Sequence, residues 1–170
     1  MEIDRETTVC FTGHRSIPAD DRTALIARTD RALRALATRG FRTFISGGAV
    51  GFDQLAACRV VLLRSYFPDA KLILALPCRN QTAKWTRVED LKLYKYLLGA
   101  ANDILYLSDW YDEGCMRRRN QYMVDHASLC VAYCTKSRGG TAMTVGMARA
   151  AGLGVINLAE DRPFSDLFVN

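Results

Sequence analysis

The sequence predicts an α/β protein of three layers, in which a mainly parallel sheet carries helices on both faces. Short β-branched and aromatic stretches alternate with longer segments of helical periodicity along the whole chain. No linker, repeat or low-complexity segment interrupts this alternation. We therefore expect a single domain over residues 1–170, with right-handed crossovers between parallel strands.

In the first half of the chain, short apolar runs predict strands at residues 7–12, 41–45 and 71–76. Apolar side chains recurring at helical spacing predict helices over residues 18–38, 52–66 and 82–98. Pro18 suits the first turn of its helix, Gly40 ends that helix, and Pro77 stops the third strand.

The second half repeats the pattern, with strands predicted at residues 103–107, 129–133 and 154–158 and helices over residues 115–127 and 141–151. The last dozen residues carry no pattern that predicts an element. Because loops that follow parallel strands share one edge of the sheet, we expect the polar and glycine-rich loops to gather there. Open α/β sheets bind their ligands at that edge.

Composition limits the classes of function. The chain is 49% hydrophobic, as a globular protein requires, and its net charge of +5 is spread along the sequence, which permits anionic ligands without implying nucleic acid. The polar N-terminus and the lack of a long apolar run predict a cytoplasmic protein without a membrane span. The six cysteines form no C-x-x-C pair, so we expect reduced thiols and no metal site, with Cys78 and Cys115 reachable in loops.

A glycine turn joins the second strand to the second helix and contains Ser46, Gly47, Gly48 and Gly51. Such a turn brings backbone N–H groups close to a ligand, and the helix that follows points its positive dipole end at an anion. The turn is therefore interpreted as a phosphate site. The alternative is a tight connection without a ligand, since any turn from strand to helix can contain glycine.

Asp53 lies two residues after this turn. The helix dipole stabilises a carboxylate there even when it has no function. A carboxylate beside a phosphate would repel it, so a functional Asp53 is expected to accept hydrogen bonds from ribose hydroxyls or to assist a water molecule. Asp53 is the one candidate for a catalytic residue.

Gly13, His14 and Arg15 follow the first strand, at the same predicted edge of the sheet. Arg15 is the stronger candidate, because a guanidinium pairs with two phosphate oxygens at once. The alternative for Arg15 is a solvated charge at a helix start. His14 has two interpretations of equal weight, a ligand contact or a structural residue.

A second glycine turn, Gly139 and Gly140 followed by Thr141, precedes the last helix and repeats the first design, with Thr141 as a candidate cap. Asn120 shares a helical face with three apolar residues, so we expect its amide to point inward and to contact either the ligand or the backbone of a loop. The consecutive residues 117–119 are all arginine and are interpreted as mostly solvated surface, with Arg119 nearest to Asn120.

Four segments carry a resemblance to a known family: Thr12-Gly13-His14-Arg15, Ser46-Gly47-Gly48-Ala49-x-Gly51-x-Asp53, Arg119-Asn120-Gln121-Tyr122-Met123-Val124-Asp125 and Gly139-Gly140-Thr141. Together they resemble the YpsA-like family of the SLOG superfamily, which also contains DprA-type DNA-processing proteins and the LOG phosphoribohydrolases formerly called lysine decarboxylases. The resemblance spans most of the chain. It implies a Rossmann-like fold and a pocket for a nucleotide or a nucleotide-derived ligand.

One departure from the phosphoribohydrolase relatives bears on activity. Their GGxGTxxE pattern carries a glutamate that serves the cleavage of an N-glycosidic bond. The last helix of this chain has Thr144 in place of that glutamate. The resemblance to those enzymes therefore does not extend to their carboxylate, and Asp53 is the remaining candidate to replace it.

We expect a cytoplasmic binding protein for a small nucleotide-like molecule, with a sensory or regulatory role, no catalysis and no required cofactor. Two alternatives stay open: a nucleoside or nucleotide N-glycosidase, and DprA-like binding of single-stranded DNA. The DNA alternative is less favoured because aromatic and basic residues do not interleave along one predicted surface. A homodimer is a further expectation. The predicted ligand-binding residues are Gly13, His14, Arg15, Ser46, Gly47, Gly48, Gly51, Asp53, Arg119, Asn120, Gly139, Gly140 and Thr141.

Overall fold

The computed structural model describes residues 1–162, so the final residues 163–170, which carried no sequence pattern, lie outside the described residues. A 3-10 turn, Arg5–Thr7, precedes the first strand. The other elements, in chain order, are β1 (Thr8–Gly13), α1 (Ala19–Thr38), β2 (Thr43–Ser46), α2 (Phe52–Leu63), β3 (Lys71–Leu76), α3 (Val88–Ala100), β4 (Asp103–Tyr106), α4 (Cys115–Asp125), β5 (Leu129–Tyr133), α5 (Gly140–Ala150) and β6 (Gly154–Asn157).

The six strands form one parallel sheet in the order β4-β3-β2-β1-β5-β6. In the middle of the sheet, Cys10 of β1 is in register with Ile45 of β2 and with Cys130 of β5. The chain moves outward from β1 to β4 and then returns to the other side of β1. This reversal opens a crevice at the carboxyl ends of β1 and β5, which is where such sheets bind ligands.

Alternate residues of each strand point to opposite faces of the sheet. Val9 and Phe11 of β1 pack in a core with α1, α2 and α3, whereas Cys10 packs in a second core with α4 and α5. The predicted three-layer α/β fold is therefore confirmed. Within residues 1–162, no helix combines the length and apolar composition needed to cross a membrane.

One predicted boundary is wrong. The helix expected over residues 82–98 begins only at Val88, and residues 79–84 form turns. Contacts with other loops hold these turns: the side-chain Nε2 of Gln81 donates to the carbonyl of Gly47 (3.1 Å), and Asn80 Oδ1 accepts from the backbone N–H of Tyr111 (3.0 Å). These long-range bonds override the local helical preference. The other predicted element ends lie within about three residues of the observed ones.

Candidate functional site

A cavity of about 260 Å³ opens at the crevice between β1 and β5. Its walls come from the end of β1 and the loop after it, the glycine turn after β2, α4, and the start of α5. The lining residues are Thr12, Gly13, His14, Arg15, Ala49, Asp53, Met116, Arg119, Asn120, Met123, Gly140, Thr141 and Thr144.

The structure brings eight of the predicted ligand-binding residues to this cavity: Gly13, His14, Arg15, Asp53, Arg119, Asn120, Gly140 and Thr141. The other five predicted residues, Ser46, Gly47, Gly48, Gly51 and Gly139, do not line it. Met116 and Met123 were missed, although their helical spacing from Asn120 already placed them on its face. Ligand contact by any of these residues stays a prediction.

The first glycine turn is filled by groups of the protein itself. Ser46 is fully buried, and its hydroxyl donates to the carbonyl of Asp53 (2.9 Å) and accepts from the N–H of Gly48 (3.2 Å). The backbone N–H groups of Ala49 and Gly47 face the Asp53 carboxylate and favour its ionised form. The N–H groups of this turn are therefore directed at acceptors within the protein, Ser46 and the Asp53 carboxylate, where a phosphate would have to compete with them.

The turn also holds the loop after β1 against α2. Gly51 has a φ of +85°, and a Cβ at this position would overlap the backbone carbonyls of His14 and Arg15. The N–H of Phe52 donates to the carbonyl of His14 (3.1 Å), which occupies the start of α2. Gly51 is thus required by packing within the protein.

The arginine run is mostly solvated, as expected, since Arg117 and Arg118 are exposed, but Arg119 is buried, which the sequence did not predict. The Arg119 guanidinium donates to the carbonyl of Gly47 (2.7 Å) and to Oδ1 of Asn120 (2.7 Å). A Cβ at Gly47 would overlap this guanidinium, so the missing side chain at Gly47 makes room for it. No local pattern in the sequence shows this fit between residues in two distant elements.

Asp53 and Arg119 form an ion pair of 3.9 Å in which each side chain is only 7% exposed. Burial has the largest effect on the Asp53 carboxyl and raises its pKa, while Arg119 and then the N–H of Ala49 lower it, and the result is a pKa of about 6. Burial likewise lowers the pKa of Arg119, against the attraction of Asp53. A carboxylate that titrates near neutral pH inside a cavity is a candidate functional group.

We expect this carboxyl to make the protein less stable as the pH rises through 6. Its pKa is about 6 in the folded protein and near 3.8 in the unfolded chain. Between these two pH values the folded state therefore binds more protons than the unfolded state does. The stabilisation is full below pH 3.8 and is lost as the pH rises through 6. Relative to Asp53→Asn, which cannot ionise, wild type should lose about 1 kcal/mol of unfolding free energy between pH 5 and 7.5. Urea unfolding of both proteins checks this, and parallel pH profiles would contradict it.

Asn120 is half-buried and lines the cavity, in agreement with the inward direction expected from its helical face. Its Nδ2 donates to Oγ1 of Thr144 (2.9 Å), and that hydroxyl donates in turn to the carbonyl of Gly140 (3.0 Å). Asn120 therefore joins α4 to the first turn of α5. Asn120 thus has a structural role, the alternative to ligand contact, although in the described chain the partners of its amide are the side chains of Thr144 and Arg119 and not the backbone of a loop.

The second glycine turn is open where the first is filled. Gly139 has a φ of +105°, and a Cβ at Gly139 or Gly140 would meet no atom of residues 1–162 within 4 Å. The expected capping role of Thr141 is wrong because α5 already begins at Gly140, and within the described residues no side chain caps it. In the described part of the chain, the N–H groups of Gly140, Thr141 and Ala142 have no acceptor.

Arg15 and His14 have different roles in the loop after β1. Arg15 is exposed, lines the cavity, and has no hydrogen bond or ion pair within residues 1–162. Nε2 of His14 accepts from the N–H of Thr135 (2.8 Å), which joins this loop to the one after β5. Burial, and then Lys136, lower the pKa of His14, and a neutral ring suits an acceptor. Of the two interpretations of His14, the structure therefore shows the structural one, in which the ring joins two loops.

The cysteines offer no reachable thiol at the site. Cys78 and Cys115 were expected in accessible loops, but both are fully buried, and burial is the largest cause of the raised pKa of Cys78. The expectation that they are reachable is wrong because both side chains are buried, with the two thiols close enough for Cys115 to help raise the pKa of Cys78. Across residues 1–162, no group of three or more His, Cys, Asp or Glu side chains is placed to hold a metal ion.

Comparison with known proteins gives the family. The sequence matches the YspA SLOG family over residues 9–151. The chain belongs to this family. The SLOG protein described here is 32% identical over 124 residues to the uncharacterised SPbeta prophage-derived protein YoqJ of Bacillus subtilis strain 168, a match that covers 65% of this chain and 71% of YoqJ. The resemblance drawn from the four sequence segments is thus confirmed.

Solved structures of DNA processing protein A (DprA) share the fold of this SLOG protein. DprA from Streptococcus pneumoniae has a TM-score of 0.58 at 15% identity, covering 87% of this chain and 48% of that one. DprA from Helicobacter pylori has a TM-score of 0.60 at 16% identity, covering 87% and 63%, and its structure concerns a single-stranded DNA binding mode of that protein. The SLOG chain therefore spans about half to two thirds of these DprA chains, and at this identity the likeness shows the fold alone.

Proposed function

We propose that this SLOG protein binds a nucleotide or nucleotide-derived ligand in the cavity between β1 and β5, in a sensory or regulatory role. The observation that carries the proposal is that two sources of positive potential line one cavity without a partner in the described residues. They are the Arg15 guanidinium and the uncapped first turn of α5 at Gly140 and Thr141.

An anionic group fits between these two features. The first turn of a helix presents N–H groups and the positive end of its dipole, and a guanidinium pairs with two phosphate oxygens. The turn before α2 has the same glycine composition, but the Asp53 carboxylate and the carbonyl of His14 already take up N–H groups there. We therefore assign the phosphate of the ligand to the start of α5.

The remainder of the cavity suits a sugar. Its volume of about 260 Å³ lies just below the roughly 300–1,000 Å³ of ordinary small-molecule sites, so it accommodates the sugar phosphate part of the proposed ligand, and the base of a nucleotide would lie outside it. Asp53 and Asn120 line it with an acceptor and an amide, the groups that recognise hydroxyls. These residues are our candidates for contact with the ribose.

Arg15→Gln is expected to weaken binding without destabilising the protein. Arg15 makes no hydrogen bond or ion pair in the described chain, so its loss should change the unfolding free energy by less than about 0.5 kcal/mol. A charged hydrogen bond contributes about 1.5–3 kcal/mol, so the affinity for a nucleoside monophosphate should fall by about 10- to 100-fold. Titration calorimetry with AMP, GMP, CMP and UMP measures this.

Arg117→Gln is the matched control, because it removes the same charge from an exposed position that does not line the cavity. It should leave every affinity within about twofold of wild type. Equal losses in both variants would mean that only the net charge matters and would overturn the assignment of Arg15. Mass spectrometry of small molecules released from the denatured, purified protein would name the natural ligand.

The pKa of Asp53 favours a second candidate function, cleavage of an N-glycosidic bond. A carboxylate with a pKa of about 6 is mostly ionised at pH 7 and can take a proton from a water molecule that attacks the sugar carbon. If Asp53 is this catalytic base, wild type releases free base from at least one nucleotide. Asp53→Asn should then cleave that nucleotide at least about 100-fold more slowly while it still binds it. If chromatography detects no free base with any of the four nucleotides, the cleavage function is ruled out and only the binding function remains.

Single-stranded DNA is the third partner to test, on the strength of the fold shared with the Helicobacter pylori DprA. Phosphate contacts along a strand give a steep fall in affinity with salt. A titration of oligothymidylate at two salt concentrations therefore separates binding of a strand from binding of a single nucleotide.

A further inference from the structure

A second cavity, of about 430 Å³, adjoins the first, and Arg15 and Met116 line both. We propose that it holds the nucleobase of the ligand whose sugar phosphate occupies the first cavity. This inference rests on the proposed function and specifies the ligand further, as one that carries a planar heterocycle.

Two aromatic side chains from different loops line the second cavity. Trp85 precedes α3 and packs edge-on against Tyr94, with ring centroids 5.2 Å apart and planes at 83°. Tyr111 comes from the loop after β4, and its backbone N–H is held by Asn80 of the facing loop (3.0 Å). Aromatic rings of this kind stack on any nucleobase, because every base has a π face.

The wall of this cavity also contains a buried side-chain amide whose oxygen lacks a hydrogen-bond donor within the described chain. Gln81 is 8% exposed and lines the cavity, with its Nε2 donating to the carbonyl of Gly47 (3.1 Å). Its Oε1 is buried and has no hydrogen-bond partner among residues 1–162. A buried oxygen without a donor is unfavourable, and nucleobases carry N–H donors on their edges. Gln81 is therefore the polar side chain of this wall whose oxygen still lacks a donor in the described structure, and it is our candidate for contact with the base.

The turns of residues 79–84, which replace the helix predicted there, create this wall. They carry Asn80 and Gln81, whose side chains bond to Tyr111 and Gly47 of two other loops. The backbone N–H of Arg79 also donates to the carbonyl of Asp109 (3.3 Å). The cavity is thus formed before any ligand enters, which lowers the cost of binding.

The test compares the four nucleoside monophosphates with ribose 5-phosphate, using Tyr111→Ala and, as the matched control, Trp110→Ala in the full chain. Tyr111 is 60% exposed and Trp110 is 71% exposed, so neither change should disturb the core, and only Tyr111 lines the cavity. We expect wild type to bind at least one nucleotide about tenfold or more tighter than ribose 5-phosphate. Tyr111→Ala should lower the affinity for that nucleotide about tenfold, whereas its affinity for ribose 5-phosphate should stay within about twofold of wild type.

Fluorescence gives a second readout, since the chain has two tryptophans and Trp110→Phe leaves Trp85 as the reporter. The nucleotide should quench Trp85, whereas ribose 5-phosphate should not. If all nucleotides bind no tighter than ribose 5-phosphate, or if Tyr111→Ala behaves like Trp110→Ala, the base site is wrong and the proposed function stands. If neither kind of ligand binds wild type, the proposed function fails and this inference fails with it.

Discussion

Replacing Arg119 with Met is expected to lower the free energy of unfolding by about 3–5 kcal/mol. The variant keeps most of the apolar length of the side chain but removes the charge that faces buried Asp53 at 3.9 Å. It also leaves Oδ1 of Asn120 without its donor, and it leaves the carbonyl of Gly47 with Gln81 Nε2 but without the shorter bond from Arg119. A buried ion pair stabilises a protein weakly compared with apolar packing, but removing one partner leaves an uncompensated charge and is costly.

The two preceding residues supply the controls. Arg117→Met and Arg118→Met remove the same charge from exposed positions on the same helix, and the Arg118 pair with Asp112 is solvated, so each should lower stability far less than Arg119→Met does. The loss of unfolding free energy in Arg119→Met should be smaller at pH 5, where Asp53 is protonated. A neutral carboxyl is not destabilised by the absence of a neighbouring cation. Equal effects of all three substitutions in urea unfolding would refute the buried pair.

This pair marks the limit of what the sequence predicts. Element order and sheet direction followed from apolar periodicity and from the glycines and prolines between segments, which are local properties. Burial of Arg119 depends on a glycine in a different element that leaves space for a guanidinium. Three consecutive arginines on a short helix indicate a solvated face unless that space is known.

The two glycine turns show the same limit within the site. Both have the composition of a phosphate-binding turn, and the sequence could not rank them. In the structure the N–H groups of the first turn bond to Ser46 or face the Asp53 carboxylate, whereas those of the second have no acceptor in the part of the chain described. The sequence contains one residue that bears on the difference, Asp53, since a carboxylate beside a turn competes with an anionic ligand, but from the sequence its side chain is expected to bind ribose hydroxyls instead.

The segment before α3 was mispredicted for a related reason. Its residues suit a helix locally, but Gln81 and Asn80 each gain a partner in another loop when the segment forms turns. Contacts between residues distant in sequence decide such cases, and helical propensity is weak by comparison. The misprediction falls at the wall of a cavity, where local preference and the structure often disagree.

Thr141→Asp is expected to lower the affinity for a nucleoside monophosphate by about 100-fold while the protein stays at least as stable as wild type. Thr141 is the second residue of α5, where the N–H groups lack acceptors in the described chain, so a carboxylate there gains about 0.3–1 kcal/mol from the helix dipole. The same carboxylate repels a phosphate bound at the turn, by up to about 4 kcal/mol for charges 4 Å apart near a protein surface.

Opposite changes in stability and binding make this variant informative, because loss of binding cannot then be attributed to loss of the fold. Thr141→Asn is the control, similar in shape to Asp but without charge, and it should bind within about threefold of wild type. High salt should recover part of the affinity of Thr141→Asp, since screening weakens repulsion at a partly solvated site. If Thr141→Asp binds nucleotides as tightly as wild type, the anion does not lie at α5. The phosphate would then have to displace the Asp53 carboxylate from the turn before α2, and Asp53→Asn would be the variant that tightens binding.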